Sequence, residues 1–167
     1  MKTSKKILVV SDTHGNDTNL KKVISLFGEK GRELEMLIHL GDSYGSREQI
    51  QSLVDCPVEA VRGNGDFSPD LPISNIIPIG REKAFITHGH RYHCKMSTEL
   101  MVDMARDNNA SMVLFGHTHV PMAEMVSGVL VLNPGSISLP RQDGHRPTYM
   151  VLSIREDNSV DYSIVTM

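Results

Sequence analysis

Cysteine is scarce in this sequence of 167 residues, and its scarcity bears on where the protein folds. The two cysteines, Cys56 and Cys94, lie far apart and form neither a CxxC pair nor the spacing of a disulfide framework. Small secreted domains usually depend on such frameworks. We therefore expect free thiols with a structural role and a reducing, cytoplasmic environment.

The sequence also lacks any apolar run close to the roughly 20 residues that a membrane-spanning helix needs. Near the amino terminus only residues 7–10 are consecutively and strongly apolar, so we expect no signal peptide and no membrane association. Positive charge is not in excess, because 17 Lys and Arg against 20 Asp and Glu give a net charge of -3. We expect no general affinity for nucleic acid, and an anionic ligand would need a local site.

What the sequence does contain is an alternation of apolar strands and amphipathic helices. Strands are predicted over 5–10, 36–40 and 58–61, each of which is rich in apolar residues. The first two strands precede helical patterns, formed by Leu20, Val23, Ile24 and Phe27 and then by Ile50, Leu53 and Val54. Asn16 or Asp17 is the expected cap of the first helix. A loop rich in glycine and proline follows the third strand, and the expected helix is missing there.

The second half of the sequence favours hairpins. Strands over 73–79 and 83–87 are joined at Gly80, and a helix capped by Ser97 runs to about Asp107 before a strand over 111–115. The inner face of this helix is predicted to contain Leu100, Met101, Met104 and Ala105. Four further strands are predicted, over 122–126, 129–132, 148–154 and 160–165. The pattern predicts one α/β domain over residues 1–167, with mixed sheets covered by helices.

Histidine is frequent, and most of the eight histidines lie beside glycine, aspartate or another histidine where an apolar run ends. Five polar motifs each follow a predicted strand: SDTHG at 11–15, GD at 41–42, GN at 63–64, HGH at 88–90 and GHTH at 116–119. In open α/β sheets, ligand sites gather outside the carboxyl ends of the strands. The motifs are therefore predicted to meet in one site.

The side chains in these motifs form a mixed oxygen and nitrogen ligand set: Asp12, His14, Asp42, Asn64, His88, His117 and His119. This set suits Mn²⁺, Fe, Ni²⁺ or Zn²⁺ better than Mg²⁺ or Ca²⁺. Seven ligands suit two ions that share a carboxylate. Because alternate residues of an extended segment point the same way, the DxH and HTH pairs are expected to reach the site from extended backbone. Singly, each residue has an ordinary alternative as a helix cap or loop histidine.

The ordered motifs DxH, GD, GN, H and GHxH resemble those of the calcineurin-like metallophosphoesterase superfamily over most of the chain. The loop GNGD at 63–66, the HGH motif and NPGS at 133–136 are most similar to those of its small YfcE-type phosphodiesterases. The resemblance implies a four-layer α/β/β/α sandwich without a cap domain. It further implies one metal held by Asp12, His14 and His119, a second held by Asn64, His88 and His117, and Asp42 bridging both.

The implied reaction is hydrolysis of a phosphoester by a metal-bridging hydroxide, with no protein nucleophile and with Asn64 orienting the phosphate. Larger family members carry GNHE, whose histidine protonates the leaving group, and YfcE-type members normally carry GNCD. This sequence has Gly65 at that position and keeps Asp66. We therefore expect small phosphodiesters with good leaving groups as substrates. His90 is a candidate replacement acid, with a structural role as the alternative.

Several alternatives stay open at this point. Manganese is the expected activator, with nickel, iron or zinc as alternatives, because cellular supply decides occupancy. The enzymatic alternative is a phosphomonoesterase or protein phosphatase-like hydrolase. The non-enzymatic alternative is an interaction scaffold, because the same fold serves as a subunit of the retromer sorting complex. The resemblance also favours a homo-oligomer.

Two further interpretations concern residues outside the ligand set. His39 lies inside a predicted strand and is interpreted as a hydrogen-bonded core histidine. Residues 133–136 form a Pro-Gly turn that is expected to shape the ligand loops and not to react.

Overall fold

The computed structural model describes residues 4–167 and arranges them in four layers. Two five-stranded mixed sheets pack face to face, and helices cover the outer face of each. The predicted α/β/β/α fold class is therefore confirmed.

The first sheet contains β1 (Lys5–Val10), β2 (Leu34–His39), β3 (Val58–Ala60), β9 (Thr148–Ile154) and β10 (Val160–Thr166), in the order β10-β9-β1-β2-β3. The strands β1, β2 and β3 are parallel, and β9 runs antiparallel to both β1 and β10. Along β1, Ile7 and Val9 face the other sheet, whereas Leu8 and Val10 face the helices. Burial of both faces explains the continuous apolar run.

The second sheet contains β4 (Ser74–Ile79), β5 (Glu82–Thr87), β6 (Met112–Leu114), β7 (Pro121–Val126) and β8 (Val129–Pro134), in the order β4-β5-β6-β8-β7. Its central strands β5, β6 and β8 are parallel. The edge strands β4 and β7 are antiparallel to their neighbours, which confirms the predicted hairpin around Gly80.

In the part of the chain that the structure describes, three α-helices complete the layers. The helices α1 (Thr18–Ser25) and α2 (Arg47–Gln51) pack on the first sheet, and α3 (Glu99–Asp107) packs on the second. Short 3-10 turns lie at Glu29–Gly31 and His90–Tyr92. Between the sheets, buried aliphatic side chains such as Ile38, Ile86 and Leu114 form a continuous core. Within residues 4–167, no helix is both long and apolar enough to cross a membrane.

The helix predictions need correction in detail. The helix α2 ends at Gln51, so Leu53 and Val54 lie beyond it, although Val54 is still buried beneath the first sheet. In α3, Leu100 is 49% exposed and Val102 is buried instead, because the buried face is centred on Met101.

The predicted helix caps are partly displaced. Asp17 occupies the cap position of α1 without a side-chain bond, while Asn16 Oδ1 accepts from the Thr18 N–H at 3.1 Å. Thr98 occupies the cap position of α3, and the Ser97 hydroxyl accepts from the Glu99 N–H at 3.1 Å. In each helix, the residue before the cap position, Asn16 or Ser97, thus accepts a hydrogen bond from a backbone N–H of the first turn.

The strand β8 also extends beyond its prediction. It continues through Asn133 to Pro134, where Pro134 pairs with Pro121 of β7. Pairing at the end of an edge hairpin tolerates two prolines, because neither residue must donate a central ladder hydrogen bond there.

Candidate metal centre

The seven predicted ligands leave the two sheets at the carboxyl ends of parallel strands. Asp12 and His14 follow β1, Asp42 follows β2, and Asn64 follows β3. From the second sheet, His88 follows β5, and His117 and His119 follow β6. The packing of the sheets brings these loops together, since side chains from both sheets lie within 4 Å of one another.

The local backbone that presents these ligands differs from the expectation of an extended segment. Five of the seven residues have left-handed φ angles: Asp12 (57°), His14 (49°), Asp42 (54°), His117 (66°) and His119 (60°). Such angles cost energy for residues with a Cβ atom and occur most often at functional sites. The ligands therefore converge through successive sharp turns, and the prediction based on strand alternation is wrong.

Three side chains form the first group, namely Asp12, His14 and His119. His119 Nε2 lies 3.1 Å from both Asp12 Oδ1 and His14 Nε2. His14 Nε2 lies 3.5 Å from the same carboxylate oxygen. Three potential ligand atoms thus face one point from two different loops.

The second group contains His88, Asp42 and Asn64, and it adjoins the first. His88 Nε2 lies 3.5 Å from Asp42 Oδ2 and 3.2 Å from Asn64 Oδ1. Asp42 Oδ2 also lies 3.7 Å from His14 Nε2, and Asp12 Oδ1 lies 3.8 Å from His88 Nε2. Both carboxylates therefore lie between His88 and the imidazoles of the first group.

The last two histidines lie further out. The His117 ring centroid is 5.0 Å from that of His88, and the backbone N–H of His117 donates to Asp12 Oδ2 at 3.1 Å. His90 lies beside both rings, with centroids 5.4 Å from His88 and 6.2 Å from His117. The role of the seven residues as metal ligands, and of His90 as an acid, stays a prediction.

Backbone carbonyls orient two of the imidazoles. His88 Nδ1 donates to the Leu40 carbonyl at 2.6 Å, and His119 Nδ1 donates to the Leu139 carbonyl at 2.7 Å. A carbonyl only accepts, so in the neutral ring the proton stays on Nδ1 and the Nε2 lone pair points into the cluster. This is the tautomer that binds a metal through Nε2.

Burial and the neighbouring imidazoles set the protonation states of Asp12 and His117. Burial alone would raise the pKa of the Asp12 carboxyl, but His119, His14 and His88 hold it well below its ordinary value. Burial together with His88 lowers the pKa of His117 to about 4. At neutral pH, Asp12 is therefore ionised and His117 is neutral, as metal ligands must be.

One oxygen tests whether the cluster fits a cation. Asp12 Oδ1 is buried and has no hydrogen-bond partner among the described residues, although three imidazole Nε2 atoms lie within 4 Å of it. A buried carboxylate oxygen without a hydrogen-bond partner is costly. A divalent ion would satisfy it together with the Nε2 lone pairs, so the donor set fits a metal.

Asp66 holds two ligand loops together, although it is not one of the seven predicted ligands. Its Oδ2 accepts from the N–H groups of Asp42 and Gly63, both at 2.8 Å, and its Oδ1 accepts from the Tyr44 N–H at 2.8 Å. The side chain is 7% exposed. The feature of the sequence that points to this role is the acidic residue two positions after Asn64, in the GNGD loop.

Residues 133–136, at the end of β8 and just beyond it, contact the ligand loops, as the shaping role predicted for them requires, and their lack of a part in the reaction stays a prediction. Asn133 Nδ2 donates to the Gly116 carbonyl at 3.0 Å and to Thr118 Oγ1 at 3.1 Å. The Ser136 hydroxyl donates to the Asp12 carbonyl at 2.8 Å. His39 is confirmed as a core residue, since it is 1% exposed and hydrogen-bonded to Thr13 Oγ1 and to the Gly41 N–H.

Comparison with known proteins identifies the family of this chain. Residues 6–157 match the calcineurin-like phosphoesterase superfamily domain, and the chain therefore belongs to this family. It is 31% identical over 151 residues to the probable metallophosphoesterase YsnB of Bacillus subtilis, covering 90% of this chain and 85% of that protein. It is 29% identical over 177 positions to phosphodiesterase YfcE of Escherichia coli, covering 93% and 89%.

Solved structures show the same architecture. A predicted phosphoesterase from Streptococcus pneumoniae superposes with a TM-score of 0.80 at 26% identity, and all of both chains is covered. Vacuolar Protein Sorting 29 from Cryptosporidium parvum superposes with a TM-score of 0.74 at 16% identity, covering 99% of each chain. At that identity the second likeness shows the fold alone.

Proposed function

We propose that this chain is a metal-dependent phosphodiesterase that works with two divalent ions, manganese first among them. One observation carries the proposal: the buried and unpartnered Asp12 Oδ1 lies among the Nε2 atoms of three imidazoles. The family and the relative named as a phosphodiesterase support the same reaction.

The proposed ligands follow the two groups, with His117 added to the second. Asp12, His14 and His119 would hold one ion, and Asn64, His88 and His117 would hold the other. Asp42 would bridge them, since its Oδ2 lies 3.7 Å from His14 Nε2 and 3.5 Å from His88 Nε2. Asp42 Oδ1 accepts from the Gly65 N–H at 2.7 Å, which leaves Oδ2 to face the imidazoles.

Bound ions would acidify the attacking water and offset negative charge on the phosphoryl oxygens. The residues of the chain supply orientation. The carbonyls of Leu40 and Leu139 fix the imidazole tautomers, and the exposed Asn64 carboxamide lies where it can donate to a phosphate oxygen.

The leaving group decides which esters are suitable. In hydrolysis a water oxygen bonds to phosphorus, the ester P–O bond breaks, and a proton must reach the leaving oxygen. Gly65 offers no side chain for that proton. Burial lowers the pKa of His90 below its ordinary value, so the neutral imidazole predominates at neutral pH. Esters whose leaving oxygen is already stable as an anion are therefore favoured.

The experiment that tests this function compares two substrates in the presence of Mn²⁺. We expect bis(p-nitrophenyl) phosphate to be hydrolysed faster than glycerol 2-phosphate, an unactivated alkyl monoester, by at least about tenfold in kcat/KM. Activity should disappear with EDTA and return with Mn²⁺. Faster turnover of the monoester would contradict the phosphodiesterase assignment.

A second candidate is a non-catalytic interaction scaffold, which the likeness to Vacuolar Protein Sorting 29 favours. No hydrolysis of either ester with Mn²⁺, Ni²⁺, Fe²⁺ or Zn²⁺ would support the scaffold over the enzyme.

A further inference from the structure

We propose that Tyr44 and Phe67 form a binding subsite for a planar aromatic group, an aryl ring or a nucleobase, carried by the phosphoester. This inference rests on the proposed function. The subsite is a pocket of about 640 Å³ lined by Tyr44, Gly45, Ser46, Gln49, Gly65, Phe67 and Ser68, called here the aromatic pocket.

The two aromatic rings are exposed to an unusual degree. Phe67 is 93% exposed and Tyr44 is 56% exposed. The whole sequence contains only four phenylalanines and four tyrosines, so a quarter of them lie at this one pocket. Exposed aromatic rings grouped at a pocket are typical of ligand binding, because leaving them in water gives up the free energy of burial.

The aromatic pocket adjoins the candidate metal centre, because Tyr44 and Gly65 of its lining contact His14 and Asp42. The Tyr44 hydroxyl lies 2.6 Å from His14 Nδ1, and the two rings meet edge to face with centroids 5.0 Å apart. On the other wall, the Gly65 N–H donates to Asp42 Oδ1 at 2.7 Å. A phosphoester bound at the centre would therefore extend one of its organic groups over Tyr44.

Gly65 makes room for this arrangement. A Cβ atom at position 65 would lie 2.6 Å from Tyr44 Cε1, closer than such contacts allow. Tyr44 itself has a left-handed φ of 63° and is held by the bond from its N–H to Asp66 Oδ1 at 2.8 Å. The glycine that removes a leaving-group acid thus also admits the tyrosine ring beside His14.

The composition of the aromatic pocket selects the kind of group. Among residues 4–167, those that line it include no charged side chain. Its polar groups are neutral, with the Gln49 carboxamide and the hydroxyls of Ser46 and Ser68 beside the two rings. An uncharged planar group that stacks on an aromatic face suits this lining better than a second phosphate does.

Steady-state kinetics with Mn²⁺ test the subsite through two esters with the same leaving group. Phe67→Ala is expected to lower kcat/KM for bis(p-nitrophenyl) phosphate, relative to methyl p-nitrophenyl phosphate, by about tenfold, the size expected for one stacking side chain. The change should be mainly in KM. Tyr162→Ala, which removes another exposed aromatic ring on β10, is the matched control and should leave the ratio as in the parent protein.

A binding measurement uses the absence of tryptophan from the sequence. Phe67→Trp keeps a stacking ring and adds the only indole, whose fluorescence should be quenched by adenosine 5'-monophosphate at concentrations where methyl phosphate has no effect. Equal responses to the two phosphates would overturn the subsite.

The outcomes separate the two proposals. Suppose that the parent protein hydrolyses both esters but that Phe67→Ala changes kcat/KM for the two by the same factor. The subsite proposal is then wrong while the phosphodiesterase proposal stands, and contact with another protein becomes the better explanation of the exposed Tyr44 and Phe67 rings. If no metal supports hydrolysis of either ester, both proposals fail.

Discussion

Replacement of His88 by alanine is expected to lower manganese-stimulated hydrolysis of bis(p-nitrophenyl) phosphate by at least about 100-fold. Loss of a group that merely orients a ligand typically costs 10–100-fold, and His88 is proposed to be a ligand itself. Its Nε2 lies within 4 Å of Asp12, Asp42 and Asn64, so its removal affects both groups of the candidate centre. Initial rates at saturating Mn²⁺ give the measurement.

Two further variants keep this prediction interpretable. His88 is fully buried, so the alanine variant also leaves a cavity, and His88→Gln fills most of that space without an imidazole. His145→Ala removes an exposed histidine that lies outside the predicted ligand set and should retain parental activity. Full activity in folded His88→Ala, shown by an unchanged thermal transition, would contradict the proposed role of His88.

Gly63→Ala is expected to abolish measurable activity and to lower the free energy of unfolding by about 1–3 kcal/mol, the cost of overpacking a tight core. A Cβ atom at Gly63 would overlap both Oδ1 and the backbone nitrogen of Asp42. The strain cannot be relieved by one flexible side chain, because backbone atoms are involved. The loop that carries Asp42 must move, and Asp42 is the proposed bridge between the ions. Urea unfolding and initial rates measure the two effects separately.

Gly128→Ala is the matched control for this variant. Gly128 has a φ of 81°, but a Cβ atom there would meet nothing within 4 Å. It should lose about 1–2 kcal/mol through backbone strain alone and keep its activity. If Gly63→Ala behaved in the same way, the close packing of the Asp42 loop would not matter for catalysis.

Much of the fold could be predicted because its central strands are buried on both faces. Runs such as residues 7–10 are apolar throughout, so they were identified without reference to the rest of the chain. The polar motifs that follow those strands also predicted correctly that their side chains lie close together, because the carboxyl ends of parallel strands share one edge of the sheet. His14 and His119 are 105 residues apart in sequence, yet their Nε2 atoms lie 3.1 Å apart.

What the sequence left undetermined depends on how the loops turn. Asp12 and His119 have left-handed angles, which Asp and His adopt more often than most residues, but the residue types alone do not show which of them will do so. The same holds for Tyr44 and Phe67, which read as ordinary loop residues until the structure places them at one pocket. Asp66 was visible as part of the GNGD pattern, but its hydrogen bonds to three backbone N–H groups required the folded loops.

The central claim is that these loops hold a pair of divalent ions, and a crystal grown with Mn²⁺ tests it most directly. Anomalous difference maps should show two separate peaks in the cluster, one beside His14 and His119 and the other beside His88 and Asn64, with Asp42 between them. A single peak, or manganese bound only elsewhere on the protein, would contradict the account.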